Sequence, residues 1–248
     1  MHRLKPLSRY LDGSYYLYDA EVVGTNYACL FELTASDYPR SATEAIRGRG
    51  EIAKIKIGTE WAMRRHYRRG GCFAAVADDR YFWTGLERSR PVREWRLLAQ
   101  LYCDGFPVPR PIAMRLVRSG LWYRADLITL EIGNARTLAE TLESEPLTAD
   151  AWGALGETLA RFHGAGVYHS DLNANNILLD KQKRFYLIDF DKSSFRFSDF
   201  GWKRRNIERL RHSLNKLSHS NKIRHWRLAD FDYLLKSYYF KESRPNVD

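Results

Sequence analysis

The sequence predicts an α+β chain of two lobes, strand-rich over residues 1–133 and helix-rich over 134–248. Aromatic and β-branched residues crowd the first third, with period-2 alternation in "EIAKIKI" (51–57). After about residue 134 helical spacing takes over, and Trp152, Leu155, Leu159 and Phe162 recur on one face. Between the last helix start and the tail lies a polar loop, "HSDLNANN" (169–176), running straight into the apolar triplet Ile177, Leu178 and Leu179. Asn and Asp compete with the backbone for hydrogen bonds and favour turns, so this is a polar loop pinned between a helix and a buried strand.

In chain order, "SYYLYDA" (14–20), "YACLFEL" (27–33) and "EIAKIKIGTEWAMRRHY" (51–67) read as strands, and "RGRG" (47–50) as a turn before the third. A helix is predicted over 91–104, with Pro91 near its start, Gly105 after its end, and Trp95, Leu98, Leu101 and Tyr102 at helical spacing. Proline-bounded "FPVPRPIAMRLV" (106–117) leads into a strand, and "LWYRADLITLEI" (121–132) supplies another. The lobes join near 131–136. "LTADAWGALGETLARFHGAGV" (147–167) is a helix with a threonine start and a glycine-rich end. A strand after the polar loop, a turn at "DKQK" (180–183) and a strand in "RFYLIDFD" (184–191) form a hairpin, and the tail (199–240) is helical, basic and aromatic.

With 248 residues, 44% of them hydrophobic, the chain can bury a full core. Net charge is +10 and the isoelectric point near 9.5, which calls for an anionic partner or simply keeps a basic protein soluble. Cys29, Cys72 and Cys103 stand at no metal-ligand or disulfide spacing and read as reduced thiols. The N-terminal stretch has no apolar core of a signal peptide, and no run of about 18 apolar residues offers a membrane span.

The hairpin carries the chemistry. It brings Asn176, at the end of the polar loop, close to Asp189, which opens "DFD" (189–191). An amide oxygen beside a carboxylate suits a hard cation, Mg²⁺, holding polyphosphate. Asp171, five residues before Asn176, is placed to orient an attacking hydroxyl or take its proton, and His169 to brace the loop. Asp191 is a second metal ligand or a partner for Lys192, with neither favoured.

"H-S-D-L-N-A-N-N" followed by "D-F-D" resembles the H-x-D-x-x-x-x-N and D-F-G motifs of the protein-kinase-like superfamily. The resemblance implies a two-lobed protein-kinase-like fold, ATP and Mg²⁺ as cofactors, Asp171 and His169 in the catalytic loop 168–176, and Asn176 and Asp189 on the metal. Ser170 replaces the usual arginine, Asn173 the usual lysine, and no A-P-E segment follows, so a small-molecule or sugar acceptor is implied rather than a polypeptide.

"GRGE" (48–51), "RRHYRRGG" (64–71), "REWRLL" (93–98) and "GFPVPRPI" (105–112) are further similar to the bacterial kinases of lipopolysaccharide inner-core sugars, especially those acting on 3-deoxy-D-manno-octulosonic acid (Kdo). That resemblance implies a Kdo–lipid A acceptor phosphorylated at its 4-hydroxyl, an anionic membrane surface as neighbour, and a peripheral place on the cytoplasmic face of the bacterial inner membrane. A heptose kinase of the same core, or a non-catalytic module binding lipopolysaccharide or RNA, are the alternatives. No RNA-binding motif is present, and no nucleic acid is expected.

For the cofactor, no lysine stands where V-A-I-K would put one. Strand alternation on "AMRR" nominates Arg65 for the phosphates, with Arg64 on the opposite face. Glu94 is its expected helix partner, or else a solvated carboxylate among Arg93 and Arg96. Gly48 and Gly50 bring backbone N–H groups towards phosphate, or only make a hairpin turn. Arg68 and Arg69, beside two glycines, meet an anionic lipid or a sugar carboxylate, or only water. In the tail, Ile207, Leu210, Leu214 and Leu217 share one helical face, while Lys203, Arg204, Arg209, Arg211 and Lys216 fall mostly elsewhere, facing solvent or anionic lipid.

Overall fold

The computed structural model describes residues 3–32, 52–68, 79–197 and 200–243. The 47–50 turn with Gly48 and Gly50, and Arg69 with Gly70, Gly71 and Cys72, lie outside the described residues. Two compact units emerge: Met1–Gly105 with Pro109–Glu131, and Phe106–Val108 with Ile132–Asp248.

The first unit is built on an antiparallel sheet. β1 (Pro6–Leu11) and β2 (Ser14–Asp19) form a hairpin whose turn residues Asp12 and Gly13 both take positive φ, 47° and 73°, as a two-residue mirror-type turn requires. After the short α1 (Ala20–Val23) come β3 (Ile52–Ile57), β4 (Glu60–His66) and β5 (Tyr81–Phe82), then α2 (Arg90–Cys103), β6 (Pro111–Ser119) and β7 (Trp122–Leu130). The strand order is β1-β2-β6-β7-β4-β3, with β5 added to β7. β4 pairs with β3 on one side and β7 on the other, which fixes its register and sends Arg64 and Arg65 to opposite faces. Helix α2 packs on β6 and β7 through buried Val92, Trp95, Leu98 and Leu101.

One predicted strand is not there. Over 27–33 the described residues make a 3₁₀ turn, Cys29–Phe31, and its Leu30 and Phe31 are buried with Tyr16, Tyr18 and Ile112. A short aromatic and apolar run has no period that separates a strand from a buried turn, and packing decided.

In the second unit, α3 (Leu138–Ser144) follows the short β8 (Arg136–Thr137) and opens with a reciprocal cap: Thr137 accepts from the Glu140 N–H, and Glu140 accepts from the Thr137 N–H. Helix α4 (Ala149–Gly164) starts at the Thr148 cap and buries Trp152, Leu155, Leu159 and Phe162. The helical tail is made of two helices, α5 (Phe200–His219) and α6 (Leu228–Glu242), parted where Asn221 turns to φ 54°. α4 and α6 approach so closely that a Cβ on Gly156 would stand 2.2 Å from the Leu234 carbonyl oxygen. Burial of Ile207, Leu210 and Leu214 follows the predicted face of α5. Its charges depart from a purely solvated side: Lys203 is buried and ion-paired with Glu242 at 2.7 Å, and Arg211 pairs with Glu208. Helix periodicity names the residues sharing a face but not the carboxylates a neighbouring helix brings to it.

The functional loop is framed by short strands: β9 (Val167–Tyr168) before it, β10 (Ile177–Leu179) after it, then β11 (Phe185–Leu187) and β12 (Ser194–Phe195). β10 pairs with β11 and β8, and β12 returns to β9, so the segment after "DFD" is tied to the start of the loop.

Candidate active site

The loop stands on alternate anchors. Leu172, Ala174, Ile177 and Phe190 are fully buried, while Asp171, Asn175 and Asp189 face solvent between them. Asp180 closes the β10–β11 turn: its carboxylate accepts from the Arg184 backbone N–H and side chain, at 2.9 and 2.8 Å, and from the Tyr186 hydroxyl. With the turn fixed, the Ile188 N–H donates to the Asn176 carbonyl at 3.0 Å, so Asn176 and Asp189 stand on facing strand ends. The Asn176 side chain donates through Nδ2 to the Asp171 carbonyl at 2.9 Å, which directs its Oδ1 away from that bond as the oxygen that could hold a cation. Asp189 has φ 62°, a left-handed conformation that Asp tolerates better than most residues.

Among the described residues no three His, Cys, Asp or Glu side chains gather into a metal cluster. One amide oxygen and one carboxylate fit Mg²⁺, which keeps much of its shell as water and substrate phosphate. They do not fit a soft or tightly caged ion.

His169 is buried and fully engaged. Its Nε2 donates to the Ile188 carbonyl at 2.9 Å, and its Nδ1 accepts from the Asp171 N–H at 3.3 Å, which fixes a neutral tautomer. The ring thereby ties the 169–176 loop to the residue before Asp189. Burial pushes its pKa below the ordinary value, in keeping with the neutral ring that these two bonds require. Ser170 adds a second tie: its N–H donates to Ser193 Oγ at 3.0 Å, and its hydroxyl donates to the Asp191 carbonyl.

A polar relay runs on into the helices. The Tyr238 hydroxyl donates to His163 Nδ1 at 2.7 Å, His163 Nε2 donates to Asn206 Oδ1 at 3.1 Å, and Asn206 Nδ2 donates to the His169 carbonyl at 2.7 Å. Burial drives the His163 pKa down to about 4. A histidine depressed in the fold contributes stability above about pH 6.5 and loses it as pH falls through about 4, because the unfolded chain binds the proton first. The full difference corresponds to ~3 kcal/mol. His66, raised mainly by its hydrogen bond to Asp126, has the opposite sign: its contribution is present below about pH 6.5 and lost above it. The urea midpoint is therefore expected to fall between pH 6.5 and 4.5, and His163→Gln to flatten part of that slope. An unchanged slope in the variant would assign the loss elsewhere.

In the first unit, Arg65 Nη2 lies 2.6 Å from both carboxylate oxygens of Glu94, and the Tyr67 hydroxyl donates to the same carboxylate. Glu94 is 1% exposed and Arg65 21%, so the pair sits at the edge of the core with the guanidinium outermost. Arg64, on the other face, reaches the Phe31 carbonyl. Residues that pattern reading did not single out include Asn206 and Ser213. Ser213 Oγ accepts from the Ala174 N–H at 3.2 Å. Their only signal in the sequence is an i, i+7 spacing on α5.

A strand-rich unit carrying a half-buried Arg–Glu pair, and a helical unit whose hairpin joins H-x-D-x-x-x-x-N to a "DFD" turn, define a protein-kinase-like phosphotransferase. Comparison with known proteins places it further: the model of the lipopolysaccharide kinase (Kdo/WaaP) family matches residues 39–238, and the chain belongs to that family. It is 37% identical over 233 residues to a 3-deoxy-D-manno-octulosonic acid kinase of Vibrio parahaemolyticus, covering 93% of this chain and 97% of the relative. A Vibrio vulnificus protein of the same name is 38% identical, covering 89% and 93%. One from Xanthomonas axonopodis is 40% identical, covering 85% of each chain. No helix among the described residues is long and apolar enough to cross a membrane.

Proposed function

We propose that the chain transfers the γ-phosphoryl group of ATP to the Kdo sugar of a Kdo–lipid A precursor, at the 4-hydroxyl. The observation that carries the reading is the loop and following hairpin that hold Asp171, Asn176 and Asp189 together, in a chain alike over most of its length to relatives named for Kdo. Asp171 aligns the sugar hydroxyl and accepts its proton; Asn176 and Asp189 hold Mg²⁺, which when bound neutralises polyphosphate charge. Arg65 contacts the ATP phosphates, and Glu94 with Tyr67 keeps its guanidinium in one orientation. His169 supports Asp171 and Asp189 together. The geometry asks the protein for positioning and charge, which is most of what phosphoryl transfer requires.

The acceptor sits in a membrane, so peripheral attachment at the anionic cytoplasmic leaflet suffices. The exposed cations Arg204, Arg205 and Lys216 on α5 suit that surface. A heptose acceptor of the same core is the second reading, because the loop geometry is common to both sugars. Purified protein with Mg²⁺ and γ-labelled ATP is expected to label a Kdo–lipid A precursor and not a heptose-bearing core. Label on the heptose acceptor alone would overturn the substrate and keep the roles; label on neither, with ATP bound, would leave a pseudokinase.

A further inference from the structure

Helix α5 meets the catalytic loop along one stripe. Asn206, Arg209 and Ser213, at i, i+3 and i+7, touch loop residues 169, 171 and 174 in step. The outer two contacts are hydrogen bonds to loop backbone. The middle one differs: Arg209 Nη1 lies 3.7 Å from Asp171 Oδ1, too far for a hydrogen bond, with the two side chains 50% and 59% exposed. Asp171 is the one ion-pair partner of Arg209 among the described residues, and there the guanidinium donors make no hydrogen bond. The buried Asn206 and the Ser213 bond fix the helix, so the guanidinium is held over the site by a rigid support rather than a loop.

We propose that Arg209 is an acceptor-binding residue whose fork takes the carboxylate of an acidic sugar. The inference rests on the functional reading above and deepens it. If Asp171 receives the attacking hydroxyl, a cation touching Asp171 stands within a sugar ring's width of that oxygen. Asn176, at the far end of the loop, and Asp189, beyond the β10–β11 hairpin, serve the metal, while the Asp171 and Arg209 side chains, 59% and 50% exposed, leave the α5 side of Asp171 accessible to the acceptor. A sugar whose name marks it an acid brings a carboxylate to this neighbourhood, and a planar fork with unused donors matches it in two parallel bonds. A neutral heptose offers no such group, so Arg209 also separates the two acceptor classes.

The test pairs Arg209→Ala and Arg209→Lys with two acceptors, the Kdo–lipid A precursor and its carboxyl methyl ester. On the acid acceptor Arg209→Ala is expected to raise the acceptor KM about 10- to 100-fold with the KM for ATP unchanged, the loss of a charge-assisted bidentate contact. Arg209→Lys should recover part of it, having the charge without the fork. On the ester the difference between wild type and Arg209→Ala should vanish. An equal loss on both acceptors, or a change confined to kcat or to the KM for ATP, would overturn the inference in favour of a phosphoryl contact or a bracing role. Wild-type protein inactive on the acid acceptor would remove the functional reading and this inference with it. An active wild type matched by Arg209→Ala would remove the inference alone. Unchanged melting temperatures in both variants keep these outcomes from being confused with unfolding.

Discussion

Asp171→Ala is expected to lower kcat by about 10²- to 10⁴-fold, the usual contribution of a positioned general base, with the melting temperature little changed. Stability should survive because the parts of Asp171 that hold the loop are backbone. Its N–H donates to His169, and its carbonyl accepts from the side chains of Asn173 and Asn176. All three bonds remain in alanine. The side chain itself is exposed and, among the described residues, makes only the loose pair with Arg209. Single-turnover transfer measured with purified variant, alongside a thermal melt, checks both halves. Turnover within a few-fold of wild type would remove Asp171 from the reaction.

The second large effect is expected at Asp189, where Asn is a cleaner substitution than Ala. The residue holds φ 62°, and Asn accepts that conformation while Ala pays for it in strain. Asp189→Asn should therefore keep the fold and lose the charge. We expect kcat/KM for ATP to fall by about 10²-fold or more, since metal-borne charge stabilisation supplies several kcal/mol to such reactions. The Mg²⁺ concentration for half-maximal activity should rise with it, and excess Mg²⁺ should recover part of the rate. A fall in rate with no shift in Mg²⁺ dependence would assign Asp189 a structural role instead.

Much of the second unit was legible in advance because its signals are local. Thr148 as a cap, the apolar stripe of α4 and the turn at 180–183 each depend on neighbours within a few residues. Other local signals were present and unread: Asp12-Gly13 announces the β1–β2 hairpin, and Thr137 with Glu140 announces α3. The 27–33 stretch was misleading because its aromatic richness answers burial rather than backbone conformation. Composition marks the whole tail as helical and gives no boundary within it, whereas the break at 220–227 comes from a left-handed Asn221 and from the return of Arg224 and His225 to the Leu142 carbonyl.

By itself the sequence determined the chemistry of the loop: which oxygens Asp171, Asn176 and Asp189 offer, and that a short closed hairpin brings the last two near each other. Strand alternation likewise separated Arg65 from Arg64, since successive side chains leave opposite faces. Only the tertiary structure decided what those groups meet. The Arg65–Glu94 contact joins residues 29 apart, the Asn206–His169 bond 37 apart, and the Ser213–Ala174 bond 39 apart. Lys203 and Arg209 are both cations of one helix, yet Lys203, four residues before Ile207 on the apolar face, is buried against Glu242, while Arg209, about 120° round the helix, is set over Asp171. Periodicity fixes which face of a helix a residue occupies, while the identity of the opposing surface comes from packing elements whose docking no local pattern encodes.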